Sequence, residues 1–281
     1  MSTTPDTAPE TVPAAPTQSR GVRRRDLIAG AFGAVVGLSG GLAAGGVLTQ
    51  RPRTWAGDRV LPDGAKVSYS QFADDLVAAN LLYGVGVNKL TYLDIGAYDP
   101  INDNNTYHFY LDGCHGVLVE PNPAITERLK SVRPRDKVLV AGIGIDDTAE
   151  ADYYMLDNPG LNTFDKEQAE RIARETKHRI EKVIKMPLVN INRVIAEHLD
   201  GKAPDLISID IEGLDYPVLK TLDFAKYRPK LICAETLITN TLRHNPKTTE
   251  LLLAHNYEVR GMTYANTFYL DKNLLPADAR M

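Results

Sequence analysis

The sequence predicts an α/β protein: an open, doubly wound, mostly parallel sheet that closes with an antiparallel strand, preceded by an N-terminal apolar helix. Three observations predict it. Short apolar runs recur at residues 92–93, 117–119, 138–143, 206–209 and 231–234, and a strand buried on both faces reads as such a run rather than as an alternation. Four of these runs stop at an acid, Asp94, Glu120, Asp210 or Glu235, and open parallel sheets bind ligands at the carboxyl ends of their strands. Two last runs, 257–260 and 267–270, are rich in aromatic and β-branched residues and read as a closing antiparallel pair.

Taken in order, residues 1–19 are mostly Thr, Pro and Ala and are expected to be disordered, since so little apolar surface cannot offset chain entropy. Arg20 and Arg23-Arg24-Arg25-Asp26-Leu27-Ile28 then lead into an apolar stretch to Leu48 whose only polar side chain is Ser39. About 20 apolar residues span a bilayer. An arginine pair ahead of a weakly apolar, Gly-rich segment also suits a twin-arginine export signal, with Ala43-Ala44-Gly45 as an approximate cleavage region. Residues 20–50 therefore read as a single-span anchor or an export signal, which puts the protein at a membrane or outside it. Residues 51–65 read as a linker and 66–281 as the folded domain.

Within that domain, apolar positions 72, 73, 76, 77 and 81 have helical spacing, with Ser70 as N-cap and Asp74 and Asp75 in the first turns. Gln71 and Asp75 in this segment are candidates for facing a ligand. Residues 123–132 read as a helix, 138–143 as a third buried strand ending near Gly142, 152–156 as an edge strand and 158–163 as a turn-rich loop. Asp165 and Gln168 form a capping box that opens a helix with Ala169, Ile172, Ala173, Ile180, Val183 and Ile184 on one face. Such a helix suits a lid over a substrate or a contact with a second copy of the chain. Strand-like residues from 189 pass into a helix that ends near Gly201, and 248–254 read as a further helix.

The chemistry concentrates at residues 90–123. A carboxylate at the end of the second strand, Glu120, can accept hydrogen bonds from both hydroxyls of a ribose. Gly96, without a Cβ, lets the backbone approach a ligand closely. A dinucleotide site would need further glycines so that a helix N-terminus can hold a pyrophosphate, whereas Gly96 is followed by Ala97, Tyr98, Asp99 and Pro100. An acidic turn instead suits S-adenosylmethionine, which carries an ammonium and a sulfonium and no phosphate. Asp210 and Glu212 stand two apart after the fourth run, where they could orient a substrate hydroxyl, take its proton or hold a divalent cation such as Mg²⁺. Asp210 with Glu235, at the ends of neighbouring strands, is the pair such a cation would use.

Composition narrows the field. At 281 residues, 43% hydrophobic and 24% charged, most of the chain is expected to fold. Of the net charge of −4, the first 60 residues hold seven Lys/Arg against four Asp/Glu, leaving −7 on the remainder. A domain that acidic is not expected to bind nucleic acid through phosphates. Cys114 and Cys233 form neither a disulfide framework nor a zinc spacing and are expected in the core. Of the six histidines, His108 and His244 fall near candidate site loops, but none shows metal-ligand spacing.

The chain resembles the FkbM-family methyltransferases. The resemblance is carried by Tyr69-Ser70-Gln71-Phe72, Leu93-Asp94-Ile95-Gly96-Ala97, Asn105-Thr106, Gly116-Val117-Leu118-Val119-Glu120-Pro121-Asn122-Pro123 and Leu206-Ile207-Ser208-Ile209-Asp210-Ile211-Glu212-Gly213, over roughly residues 66–270. It implies a class I methyltransferase fold that uses S-adenosylmethionine, usually to methylate a hydroxyl of a sugar, polyketide or related metabolite. Asp94 and Gly96, with Gln71 and Ala97, would line the methionine end of the cofactor. Glu120, followed by Pro121, would hold the ribose, Gly142 would lie near the adenine, and Asp210 with Glu212 would form the catalytic side. The other reading of the same residues is an exported, non-catalytic domain that binds a glycan or metabolite in the cleft.

Overall fold

A computed structural model describes residues 63–211, 213–238 and 242–279, and the backbone of two short strands, Thr54–Trp55 and Arg59–Val60, which pair antiparallel. The segments 1–19 and 20–50, with the expected apolar helix, and Glu212 lie outside the described residues. Among the described residues, no helix is long and apolar enough to cross a membrane.

Besides the short antiparallel pair Leu237–Ile238 and Arg243–His244, the strands along the chain are β1 (Thr91–Ile95), β2 (His115–Val119), β3 (Lys137–Leu139), β4 (Gly142–Gly144), β5 (Glu150–Leu156), β6 (Ile180–Asn190), β7 (Leu206–Ile209), β8 (Leu231–Glu235), β9 (Tyr257–Met262) and β10 (Asn266–Asp271). The helices are α1 (Asp74–Gly84), α2 (Tyr107–Leu111), α3 (Pro123–Val132), α4 (Lys166–Glu175), α5 (Ile191–His198), α6 (Asp215–Lys220) and α7 (Pro246–Ala254). The main sheet has the order β3-β2-β1-β7-β8-β10-β9. Its strands are parallel except β10, which runs antiparallel to both neighbours. The direction of winding reverses between β1 and β7, which opens a crevice at their carboxyl ends.

Successive strand residues face opposite layers. Leu93, Ile95, Ile207 and Ile232 pack with Ile191, Val194 and Ile195 of α5 on one face. Tyr92, Leu118, Leu206 and Cys233 pack with Ala78 and Leu82 of α1 and Leu129 of α3 on the other. Both cysteines are free and buried, as expected.

Three elements differ from the sequence reading. The third apolar run is split: β3 stays in the main sheet, while β4 leaves it to pair with β6 in a three-stranded sheet with β5. The helix opened by Asp165, which accepts the Gln168 N–H as expected, stops at Glu175. Ile180, Val183 and Ile184 belong instead to β6, whose antiparallel pairing with β5 runs from Pro187 opposite Glu150 to Ile180 opposite Leu156. Cross-strand pairing has overridden a helical spacing. Finally, α1 begins at Asp74 behind Ala73 in the left-handed region (φ 64°), not at Ser70. Asp75 organises the segment ahead of it, accepting from the Ser68 hydroxyl at 2.6 Å and the Tyr69 N–H at 2.7 Å.

Candidate active site

The crevice holds a small polar cleft. Its carboxylates are Asp74, Asp94, Asp103 and Asp210, interleaved with Asn104, Asn105, Ser208 and Asn266. The expected Gln71, Gly96 and Ala97 also line it. No Lys or Arg is among the described lining residues, so the cleft is built to receive positive charge and hydrogen-bond donors.

Asp94, one residue before the end of β1, is 4% exposed. The Thr106 hydroxyl donates to its Oδ2 at 2.6 Å. Burial raises its carboxyl to about 6, while the nearby Arg133 guanidinium and the Thr106 bond hold it down. The turn that follows is tightly stitched: the Gly96 N–H donates to Val119 O at 2.9 Å and the Asp210 N–H to Ile95 O at 3.0 Å. Gly96 has φ +84°, and a Cβ there would sit 2.2 Å from the Asp210 carbonyl oxygen. A side chain at this position would force the β1 and β7 loops apart.

Asp210 follows β7, which ends at Ile209. Behind it, Asp215 accepts from the Gly213 N–H at 3.1 Å, and its buried carboxyl is pushed well above the ordinary range by burial and by the charge of Asp210. Asp74 and Asn266 face the cleft from α1 and from the first residue of β10. Among the described residues, Asp74 Oδ2 and Asn266 Oδ1 are buried acceptors with no hydrogen-bond partner.

The other expected residues do not line this cleft. Glu120 is 5% exposed; its Oε2 accepts from the Tyr98 N–H at 3.1 Å and its Oε1 from the Asn122 N–H at 2.8 Å. Burial pushes its carboxyl up to about 7 against those two bonds. Each of its oxygens keeps a further lone pair for a ligand hydroxyl. Pro121 follows it outside the lining. Gly142 has moved with β4, and a Cβ there would meet the Phe164 ring at 2.5 Å and Leu188 at 2.9 Å. The place read as flanking an adenine is covered by Phe164. Glu235 is buried on β8 opposite Asn266. Among the described residues, no three His, Cys, Asp or Glu side chains are grouped to hold a metal ion, so the Asp210–Glu235 pair has no third ligand to join it. Glu212 lies outside the described residues.

The model of the FkbM methyltransferase domain matches residues 94–259, more than half of the chain. The chain belongs to the FkbM methyltransferase family. No curated sequence matches it significantly. Solved structures similar to this FkbM-family chain include a TehB-like SAM-dependent methyltransferase from Corynebacterium glutamicum, 8% identical over 71% of this chain and 88% of the other, with a TM-score of 0.38. Another is the Burkholderia thailandensis 1,6-didemethyltoxoflavin-N1-methyltransferase, solved with 1,6-didemethyltoxoflavin and S-adenosylhomocysteine, 13% identical over 72% and 79% with a TM-score of 0.38. Overlaps this low say nothing of cofactor or acceptor.

The match begins at Asp94, so Gln71, Asp74 and Asn266 reach the cleft from outside the matched segment. Asp74, Asp103, Asn104, Ser208 and Asn266 were not singled out from sequence. Ser208 was within reach, since it precedes the acid of a recognised strand. Asn266 follows from topology alone: β10 runs antiparallel, so its first residue lies at the carboxyl edge of the parallel strands, opposite Glu235.

Proposed function

We propose that this FkbM-family domain transfers a methyl group from S-adenosylmethionine to a hydroxyl oxygen of a sugar or another polar small molecule. The observation that supports it most is the cleft at the β1–β7 switch point, walled by four carboxylates and no described cation. That set of acceptors fits a cofactor with an ammonium and a sulfonium, and Asp74 Oδ2 and Asn266 Oδ1, without a partner among the described residues, can accept from a ligand's donors. When bound, the cofactor supplies an electrophilic methyl carbon.

The protein's own groups supply position and proton handling. Asp94, ionised, attracts the ammonium of the cofactor, and Glu120 accepts from the ribose hydroxyls through its spare lone pairs. Asp210, across the turn from Gly96, accepts the proton that the attacking hydroxyl must lose. Asp74 and Asn266 take hydrogen bonds from other hydroxyls of the acceptor and so orient it.

Calorimetric titration of S-adenosylmethionine into the protein, beside an Asp94→Asn control, tests this reading. Binding in the micromolar range that the control loses is the expected result. A folded protein that does not bind the cofactor overturns it and leaves a binding domain without methyl transfer.

A further inference from the structure

We propose that Arg133 is a positioning residue of the cofactor site, holding Asp94 through Thr106 and the turn at residues 97–99 through Asn104. The inference rests on the assignment of Asp94 to the cationic end of the cofactor made above. Arg133 follows α3, is 0% exposed and is not itself among the described lining residues of the cleft.

Its guanidinium is a donor-only group, so it dictates how every partner must turn. The Nε–H donates to Asp136 Oδ2 at 2.7 Å, an ion pair whose partners are both fully buried. One Nη2–H donates to the Tyr92 hydroxyl at 3.0 Å, and that hydroxyl donates on to Asp136 at 2.8 Å. These contacts anchor the cation, and the Tyr92 and Tyr110 rings flank it at 5.5 and 5.3 Å.

Two further donors lead to the cleft. Nη2 also donates to Thr106 Oγ1 at 2.9 Å. With a lone pair engaged there, the single Thr106 hydroxyl hydrogen is directed to Asp94 Oδ2 at 2.6 Å, the shorter and charged of its two acceptors. Nη1 donates to Asn104 Oδ1 at 2.9 Å. That contact fixes the Asn104 amide, so its Nδ2 donates to the carbonyls of Ala97 at 2.9 Å and Asp99 at 3.0 Å. One buried cation therefore sets both the carboxylate and the backbone turn beside it. Asp136 and Tyr92 take two of its five donors, and Thr106 and Asn104, which lead to Asp94 and the turn, take two more.

The groups that face Asp94 are Thr106 ahead of α2, Arg133 and Asp136 beyond α3, Ser208 of β7, Cys233 of β8, and Glu120 after β2. Asp74 and Asp210 share the cleft with it. Of these, Arg133 supplies the positive charge, so it is the group that keeps the buried Asp94 ionised near neutral pH.

The test uses the full chain with Arg133→Met, Arg133→Lys and Thr106→Val, the last two guarding against a Met variant that does not fold. Carbon-13 NMR follows the Asp94 carboxyl in the free protein, and calorimetry follows S-adenosylmethionine binding against pH. In the parent protein the carboxyl is expected to titrate near pH 6. In Thr106→Val and Arg133→Met the midpoint is expected to rise by about one pH unit, which weakens cofactor binding about twofold at pH 7 and about tenfold well below pH 6, and lets it recover in alkaline buffer. Arg133→Lys keeps the charge but not the fork, so the midpoint stays close to the parent's while affinity still falls several-fold. An unmoved midpoint with parental affinity in folded Thr106→Val overturns the proposal. If the parent protein itself fails to bind the cofactor, the methyltransferase reading falls, and the NMR midpoints still decide whether Arg133 controls Asp94.

Discussion

Replacing Asp94 by Asn is expected to stabilise the fold and abolish cofactor binding together. Asp94 is 4% exposed and carries its carboxyl from the ordinary 3.8 to about 6, chiefly because burial penalises the charge. A raised carboxyl favours the protonated folded form. Its contribution to stability is therefore present below about pH 4 and lost as pH rises toward 6. The gap corresponds to roughly 3 kcal/mol. Asparagine has the same shape, does not titrate, and keeps an oxygen for the Thr106 hydroxyl. Its added N–H groups return about 1 kcal/mol if one stays unpaired. The net expectation is a variant roughly 1 kcal/mol less stable than the parent below about pH 4 and roughly 2 kcal/mol more stable near neutral pH. Urea unfolding of both proteins at the two pH values measures this, with two-state fits sharing one slope. A stability difference that is the same at both pH values, or that favours the parent at neutral pH, refutes the reasoning. Such a site gives up stability for function.

Glu120→Gln is expected to follow the same stability trend, because burial carries that carboxyl from 4.5 to about 7. It should also weaken cofactor binding roughly tenfold to a hundredfold, the worth of a charge-assisted hydrogen bond, read by calorimetry; unchanged affinity would remove Glu120 from the ribose site. Gly96→Ala adds a Cβ 2.2 Å from the Asp210 carbonyl oxygen at a φ of +84°. A loss of more than about 2 kcal/mol in thermal unfolding is expected from left-handed strain plus the forced shift of Asp210. A parental melting temperature would show that the two loops are not held together by that contact.

Much of this protein is legible in its sequence, because the signals are local. Buried parallel strands write themselves as apolar runs, and β1, β2, β7 and β8 were placed from Leu93, Val117, Ile207 and Ile232. Residues 123–132 read as a helix, and the structure has the same bounds, with Asn122 as the cap and a proline in the first turn. The acids that end these strands announced the edge where the cleft opens, and Asp94, Gly96 and Asp210 do meet there. What the chain order alone left undecided was everything set by pairing between distant segments. Residues 180–184 carry apolar spacing that suits a helix or a strand, and only the presence of β5 alongside selects the strand. Gly142 left the main sheet because β4 found β6, which placed Phe164 over it. Asp74 and Asn266, 192 positions apart in the numbering, meet in one cleft because β10 enters the sheet antiparallel. Arg133 is one arginine among many until its burial beneath Asp94 shows what its donors hold. Short-range patterning determines which segments become strands and helices; desolvated polar contacts between remote residues exist only once the chain has folded.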